Sequence, residues 1–204
     1  MIRTKICGIT NRDDALCTVE YGADALGFIF YEKSPRYIVP EKAGEIISNL
    51  PPFVTPVGVF VNASESQIDM TVKLAGLQAI QLHGDEPPEA CLGHAVPVIR
   101  VMRVGPDFEA ETMQSYLVDT FLLDTDKSGL YGGTGETFDW ALANKAKAFG
   151  RIILSGGLNP DNVREAIDRV SPYAVDASSG VEAEPGKKDH DKVKNFLATV
   201  KNGH

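Results

Sequence analysis

Short apolar runs recur along the whole chain, and each is followed by a segment with helical periodicity. They begin near Thr4, Ala25, Pro56, Leu77, Pro97, Thr120, Arg151 and Tyr173. Several of them, such as 152–154, contain no polar residue. Strands that are apolar on both faces are typical of a parallel sheet covered by helices, so this pattern predicts an α/β protein.

Three of the helical segments have recognisable starts. Asn11 and Ser64 are residue types that accept hydrogen bonds from the first turn of a helix. Pro160 suits the first turn itself, where no backbone N–H is needed. Glycine commonly follows the last turn of a helix. We therefore predict helices over 12–21, 65–74 and 161–170, and helix ends at Gly22, Gly76 and Gly150.

The eight strand starts lie roughly 20 to 30 residues apart, which is the period of a βα unit. Eight consecutive units predict a closed (β/α)8 TIM barrel, with residues 1–204 forming a single catalytic domain. A doubly wound open sheet is the alternative. That fold usually carries a glycine-rich GxGxxG turn after its first strand. Here residues 7–11 read CGITN, so the barrel is favoured.

Composition and charge restrict the class of partner. The 204 residues are 43% apolar and 24% charged, as in an ordinary globular protein. With 20 Lys and Arg against 28 Asp and Glu, the net charge is −8, which disfavours nucleic acid but permits an anionic small molecule at a local site. The apolar runs are far shorter than the ~20 residues of a membrane helix, so no membrane association is expected. No obligate protein partner is evident.

The cysteines and the N-terminus predict a cytoplasmic protein. Residues 1–7 contain no apolar core of a signal peptide. Cys7, Cys17 and Cys91 are odd in number and widely spaced, which suits reduced thiols better than disulfides or a zinc site. We interpret Cys17 and Cys91 as small apolar residues of helical stretches.

In a TIM barrel the active site lies at the carboxyl ends of the strands, so the polar residues that follow each strand should converge. They include a thiol, two arginines, an imidazole, two carboxylates and two loops of small residues. In chain order these are Cys7, Arg36, Asn62, His83, Arg103, Asp124, Ser155-Gly156-Gly157 and Asp176-Ala177-Ser178-Ser179-Gly180.

The loops after the last two strands predict a phosphate site. Ser155-Gly156-Gly157 and Ser178-Ser179-Gly180 combine glycines, which let backbone N–H groups point at an anion, with small hydroxyl donors. TIM barrels commonly bind phosphate at these two loops. Either loop alone favours a plain tight turn, but the two together favour phosphate binding.

Cys7 and Asp124 are the candidates for acid–base chemistry. Cys7 ends the first strand and is either a buried apolar residue or a thiolate base or nucleophile, with Lys5 on the same strand face. Asp124 follows an apolar run and is either a general acid or a structural ion-pair partner. Asp126 is the alternative acid. The glycine-rich stretch 127–135 could form a lid or a plain flexible loop.

Three further residues are candidates for substrate binding. Arg36 could hold a carboxylate with two hydrogen bonds, or could stack on Tyr37 at the surface. His83 could contact substrate or form a hydrogen bond inside the rim. Asp176 ends the eighth strand at the same opening. We interpret the charged segment 186–192 as solvated surface.

The motifs at these positions resemble those of the phosphoribosylanthranilate isomerase family, from the first strand to the last helix. The matching segments are KICGIT (5–10), GFIF (27–30), KSPRY (33–37), GVFVN (58–62), QLHG (81–84), LLD (122–124), GGTG (132–135), FDW (138–140), LSGGL (154–158), VD (175–176), GVE (180–182) and PGKKD (185–189).

The resemblance implies an Amadori rearrangement of N-(5′-phosphoribosyl)anthranilate in tryptophan biosynthesis, with no metal or organic cofactor. It implies that Asp124 protonates the ribose ring oxygen and that Cys7 removes the C2′ proton. It also implies that Arg36 holds the anthranilate carboxylate and that the two small-residue loops hold the phosphate. The preference for Asp124 over Asp126 rests partly on this match.

Two other function classes remain open from the residues alone. A Schiff-base lyase or aldolase needs a lysine in an apolar pocket, and Lys5 is the only evident strand candidate. A non-catalytic sugar-phosphate binder would keep the two phosphate loops but would not use Cys7 and Asp124 together.

Overall fold

Eight parallel strands pair in sequence order and close into a barrel, because β1 pairs with both β2 and β8. The computed structural model describes residues 1–125 and 139–202. The strands are β1 (Arg3–Cys7), β2 (Ala25–Ile29), β3 (Thr55–Phe60), β4 (Ala79–Leu82), β5 (Val98–Val104), β6 (Thr120–Thr125), β7 (Arg151–Leu154) and β8 (Ala174–Ala177). The TIM-barrel prediction is confirmed, and the open-sheet alternative is wrong.

The helices surround this barrel and connect its strands. They are α1 (Arg12–Glu20), α2 (Pro40–Ile47), α3 (Glu65–Ala75), α4 (Trp140–Ala146), α5 (Val163–Val170) and α6 (His190–Lys201). Short 3₁₀ helices, Pro88–Cys91 and Ala110–Ser115, stand in place of α-helices after β4 and β5. Of the described helices, none has the length and apolar character required to cross a membrane.

The predicted helix starts are confirmed at two of three places. The Asn11 side chain accepts a hydrogen bond from the Asp14 N–H at 2.9 Å, and Ser64 forms a reciprocal capping box with Gln67. The third helix begins later than predicted because a preceding turn is held by side chains. In that turn the Asp161 N–H donates to Asn159 Oδ1 at 2.8 Å, and α5 starts only after Asn162.

The three predicted helix ends agree with the structure to different degrees. Gly76 follows α3 in the left-handed conformation with φ 74°, as expected of a glycine that ends a helix. Gly22 lies two residues beyond the last residue of α1, with φ 90°. Gly150 does not end α4, which stops at Ala146.

A second, smaller sheet follows the barrel. After a 3₁₀ turn at Ser179–Val181, strands β9 (Glu182–Glu184) and β10 (Lys187–Lys188) form an antiparallel pair before α6. The Asp189 N–H donates to the Val181 carbonyl at 3.0 Å. This hairpin therefore lies directly beside the loop that follows β8.

The core formed by the described residues consists of two apolar clusters. The larger one lies between the strands and the helices and includes the fully buried Phe28, Phe60, Phe121 and Phe196. The smaller one fills the barrel interior with seven side chains, Val57, Ala79, Ile99, Val101, Leu122, Ile153 and Ala174. Buried polar residues of the strands fill the rest of the interior and supply polar and ionisable groups near its opening. They include Lys5, Gln81, Asp124 and Asp176.

Candidate active site

A cleft of about 690 Å³, including its open mouth, lies at the carboxyl ends of the barrel strands. The candidate catalytic, substrate-binding and phosphate-binding residues line it: Cys7, Arg36, His83, Asp124, Ser155, Gly156, Gly157, Asp176, Ser178, Ser179 and Gly180. Two other strand-end residues have structural roles beside the cleft. Asn62 receives the Asp85 N–H at 2.7 Å, and Arg103 pairs with Asp85 at 2.8 Å.

Cys7 occupies a buried position at the end of β1, and the neighbouring strand makes room for it. Gly27 lies opposite Cys7 in the register of β1 and β2. A Cβ atom at Gly27 would approach the Cys7 sulfur to 2.7 Å, closer than packing allows. The thiol is thus accommodated by the absence of a side chain on β2.

Beneath the thiol, Lys5 and Asp176 form a buried ion pair. Lys5 Nζ lies 3.0 Å from Asp176 Oδ1, and the two residues face each other in the register of β1 and β8. Burial lowers the pKa of Lys5, but Asp176 and Cys7 raise that pKa by more, so Lys5 keeps its charge. A Schiff-base lysine must present a neutral amine, so this geometry disfavours the lyase alternative.

The protonation of Cys7 is set by opposing effects. Burial raises the pKa of the thiol, and the Asp176 carboxylate adds to that rise. The charges of Lys5 and Lys188 lower the same pKa, but by less. The neighbours therefore favour the thiolate only in part, whereas a working base at neutral pH would need full compensation of burial.

Asp124 is held at the end of β6 by an imidazole and by its own backbone. Its Oδ2 lies 3.3 Å from His83 Nε2, and its Oδ1 accepts the Thr125 N–H at 2.9 Å. On the other side of the ring, Gln81 Nε2 lies 2.9 Å from His83 Nδ1. With Gln81 as the donor, the imidazole carries its proton on Nε2, where it faces Asp124.

Arg36 reaches the cleft from the loop after β2 and is fixed by Glu182. Its Nε and Nη2 donate to the two carboxylate oxygens of Glu182 at 2.9 Å and 2.7 Å. Both side chains are largely buried, so the surface stacking on Tyr37 that was the alternative prediction is wrong. In the part of the chain that the structure describes, Arg36 Nη1 makes no hydrogen bond and is available to a ligand.

The two small-residue loops pack backbone against backbone. Gly156 and Gly157 have φ angles of 81° and 70°, a conformation that side-chain-bearing residues rarely adopt. A Cβ atom at Gly180 would collide with the carbonyl of Leu158, which immediately follows Gly157. The loops after β7 and β8 therefore form one continuous wall, and both line the cleft.

Two expectations fall on residues 126–138, outside the described part of the chain. These are Asp126 as the alternative acid and the stretch 127–135 as a lid. Among the described residues, no three His, Cys, Asp or Glu side chains are placed to hold a metal ion together.

Comparison with models of protein families identifies the family of this chain. Residues 4–199 match the model described as N-(5'phosphoribosyl)anthranilate (PRA) isomerase. The chain belongs to this family.

Relatives agree with the match along the whole chain. N-(5'-phosphoribosyl)anthranilate isomerase of Geobacter sulfurreducens is 51% identical over 201 residues, which cover 98% of this chain and 99% of that protein. The crystal structure of phosphoribosyl anthranilate isomerase from Thermotoga maritima superposes with a TM-score of 0.91 at 49% identity, covering 99% of this chain and all of that one.

A further structure of the family was solved with a ligand. That phosphoribosyl anthranilate isomerase is in complex with reduced 1-(o-carboxyphenylamino)-1-deoxyribulose 5-phosphate. It is 48% identical to this chain, has a TM-score of 0.88, and the match covers 99% of this chain and all of that one. The non-catalytic binder is not supported, because the family and its named relatives are enzymes.

The prediction for segment 186–192 is wrong at Lys188. Its side chain is fully buried and pairs with Glu182 at 2.9 Å, whereas the neighbouring Lys187 is exposed. Lys192 stays exposed, as predicted, although its Nζ donates to the Glu182 carbonyl at 3.0 Å. Alternation along β10 places the neighbours Lys187 and Lys188 on opposite faces and is the signal that could have placed one of them inside.

Proposed function

We propose that the chain catalyses the Amadori rearrangement of N-(5′-phosphoribosyl)anthranilate to 1-(2-carboxyphenylamino)-1-deoxyribulose 5-phosphate, a step in tryptophan biosynthesis. One observation carries this proposal: a single cleft contains a thiol, a carboxyl group, a guanidinium and a continuous wall of glycine and serine. The ligand of the related structure has a phosphate at one end and a carboxylate at the other, and so needs two anion sites.

The phosphate and the carboxylate hold the substrate at its two ends. We assign the phosphate to Ser155, Gly156, Gly157, Ser178, Ser179 and Gly180, whose backbones and hydroxyl groups offer closely spaced donors. We assign the anthranilate carboxylate to the free edge of Arg36. Fixing both ends places the ribose between β1 and β6, and positioning of this kind lowers the barrier to each step.

Asp124 serves as the general acid of ring opening. It donates its proton to the ribose ring oxygen while the C1′–O bond breaks, and the lone pair of the anthranilate nitrogen forms the Schiff base. His83 is a further substrate-binding residue by prediction. Its place between Gln81 and Asp124 supports a second role, because an Nε2 proton directed at Oδ2 orients the carboxyl group.

Cys7 serves as the general base of the second step. The thiolate removes the C2′ proton, and the electron pair moves into the C1′–C2′ bond to give an enolamine. Asp176, also predicted to bind substrate, lies below the thiol in its pair with Lys5. Protonation of C1′ by the Cys7 thiol and loss of the enol proton to Asp124 complete the ketone and restore both groups.

The direct test is turnover of N-(5′-phosphoribosyl)anthranilate, followed by the loss of its fluorescence. We expect wild-type turnover and a loss of about 10²- to 10⁴-fold in Cys7→Ala and in Asp124→Asn, the range typical of a missing acid or base. Asp119→Asn is the matched control because Asp119 precedes the same strand, β6, at its opposite end and is exposed. Absence of turnover in the wild type would contradict the proposal, and full activity in either variant would contradict the role of that residue.

We further propose that residues 1–204 form one catalytic domain acting in the cytoplasm on this small molecule, without nucleic acid or an obligate protein partner. The family model extends over residues 4–199, and all three cysteines are free thiols, as suits a reducing compartment. The net charge of −8 repels a phosphate backbone.

A further inference from the structure

The hairpin of β9 and β10 carries two ion pairs that differ in burial. Glu184 and Lys187 lie 3.8 Å apart and are both exposed. Glu182 and Lys188 lie 2.9 Å apart, with 4% and 0% of their side chains exposed. Burying two charges is costly unless their other polar atoms are also satisfied, so the partners of the inner pair need an explanation.

Lys188 joins three segments of the cleft. Its Nζ donates to the Cys7 carbonyl at 2.6 Å and to Glu182 Oε1 at 2.9 Å. It also lies 3.4 Å from the Ser178 carbonyl. One ammonium group therefore ties the strand that carries the thiol to the loop assigned to the phosphate.

Glu182 extends this connection to the guanidinium. Its carboxylate accepts hydrogen bonds from Arg36 Nε and Nη2, from Lys188 Nζ and from the Gly186 N–H. The Arg36 stem passes over Gly8, where a Cβ atom would meet Arg36 Cδ at 2.7 Å. The guanidinium plane is thereby fixed from the carboxylate side and along its stem.

The charges of this cluster also determine what Arg36 can bind. Arg36 and Glu182 alone form a neutral pair, which attracts an anion weakly. Burial lowers the pKa of Lys188 and Glu182 opposes that fall, while three acceptor oxygens around Nζ, those of Cys7, Glu182 and Ser178, favour its ammonium form. With Lys188 charged, the cluster of two cations and one anion has a net charge of +1 next to the cleft. Lys188 thus restores the positive charge that Glu182 cancels, while Glu182 keeps the guanidinium in place.

We propose that Glu182 and Lys188 are positioning residues that hold Arg36, the Cys7 backbone and the Ser178 loop as one unit, so that Arg36 presents Nη1 to the substrate carboxylate. The inference rests on the proposed function of Arg36 as the carboxylate site. Neither residue needs to touch the substrate, because both act through groups that line the cleft.

The test compares the inner pair with the outer pair of the same hairpin. We expect Glu182→Gln to raise KM for N-(5′-phosphoribosyl)anthranilate and Ki for the reduced carboxyphenylamino product by about ten- to a hundredfold, the cost of a misplaced binding group. Ki for inorganic phosphate should stay within about twofold, because the phosphate loops remain intact. Lys188→Met should raise KM, and it should also lower kcat because the Cys7 carbonyl loses its donor.

Glu184→Gln and Lys187→Met are the matched controls, and we expect both to behave as wild type. Glu182→Asp keeps the charge but shortens the side chain, and should show a smaller rise in KM if Glu182→Gln does not fold. An unchanged KM in a folded Glu182 variant, or an equal rise in Ki for phosphate and for the reduced product, would overturn the inference. Absence of wild-type turnover would instead overturn the proposed function, since both Ki values can be measured as dissociation constants without catalysis.

Discussion

At the scale of single residues, the chemistry of Cys7 depends on the ion pair below it. Burial raises the pKa of the thiol, Lys5 opposes that rise, and Asp176 adds to it. Lys5 and Cys7 share one face of β1, and Asp176 of β8 pairs with Lys5, so the three side chains meet in the barrel interior. The pKa of a base at this position can therefore be raised or lowered by changing either of two neighbours that have opposite charges.

This balance predicts the pH dependence of the reaction. Because the raised pKa of Cys7 keeps the thiol protonated, we expect kcat/KM to rise with pH through a limb centred above the ordinary thiol value of about 8.5. Lys5→Met removes the cation that favours the thiolate and should move the limb to higher pH. Asp176→Asn removes an anion that disfavours the thiolate and should move it to lower pH. The measurement is kcat/KM against pH for the three proteins.

The opposite signs of the two shifts provide the internal control. General damage to the site lowers kcat/KM at every pH but does not move the limb in opposite directions. Shifts of equal sign in Lys5→Met and Asp176→Asn, or no shift in either, would contradict Cys7 as the titrating base.

Residue partners close in sequence could be predicted, and distant ones could not. That Lys5 shares a face with Cys7 follows from strand alternation, which is a local rule. The pairing of Arg36 with Glu182 joins positions 146 apart and has no local pattern. Its existence depends on β9 returning beside the loop after β2, which only the folded chain shows.

At the scale of elements, the loops after β7 and β8 act as one wall because their backbones are in contact. The contact requires glycine at position 180, where any Cβ atom would collide with the Leu158 carbonyl. Gly156 is similarly crowded by Thr125 at the end of β6. The wall formed by these two loops is therefore in van der Waals contact with the strand that carries Asp124.

Gly180→Ala should separate these loops and weaken substrate binding. We expect KM to rise by up to about 10²-fold, since a displacement near 1 Å in a positioning group has costs of this order. Gly44→Ala is the matched control, because its Cβ atom would also meet a backbone carbonyl, that of Leu74 at 3.1 Å, but on α2 and outside the cleft. The measurements are KM, Ki for inorganic phosphate and the thermal unfolding midpoint.

Gly180→Ala should raise KM and Ki for phosphate together. A rise in KM alone would place the phosphate elsewhere. A similar loss of affinity in Gly44→Ala would show that crowding acts through general destabilisation and not through the wall.

The sequence pattern located the strands better than the helices. All eight strands begin within two residues of their predicted starts, because a strand buried on both faces is nearly all apolar. The α-helices expected after β4 and β5 are replaced by 3₁₀ turns. Pro87 and Pro88 occupy the N-cap and first position of the turn after β4, where no backbone N–H is needed, so they do not account for its shortness.

At the scale of the whole molecule, an acidic protein binds an anionic substrate through local structure. The net charge is −8, yet the cleft contains Arg36, the nearby Lys188 and the glycine-rich loops. Composition disfavours nucleic acid on charge but does not show how an anion is held. The net charge of the chain does not reveal that Glu182 is buried between two cations, Arg36 and Lys188.

That buried cluster also contributes to the stability of the fold in a pH-dependent way. Burial by itself raises the pKa of Glu182, but Arg36 and Lys188 lower that pKa by more, so it lies below its ordinary value in the folded chain. A lowered carboxyl pKa contributes stability above the unfolded value of about 4.3, and this contribution is lost as pH falls through the folded value.

We expect Glu182→Gln to cost about 3–5 kcal/mol of unfolding free energy near pH 7, because two buried cations lose their partner. The cost should shrink as pH falls below the unfolded value of about 4.3 and through the lower folded value, as Glu182 in the wild type becomes protonated and resembles glutamine. Denaturant unfolding of both proteins at several pH values measures this difference, with the exposed Glu184→Gln as a control near zero throughout. A cost that does not decrease between pH 7 and a pH well below about 4.3 would show that the carboxylate charge of Glu182 does not stabilise the fold.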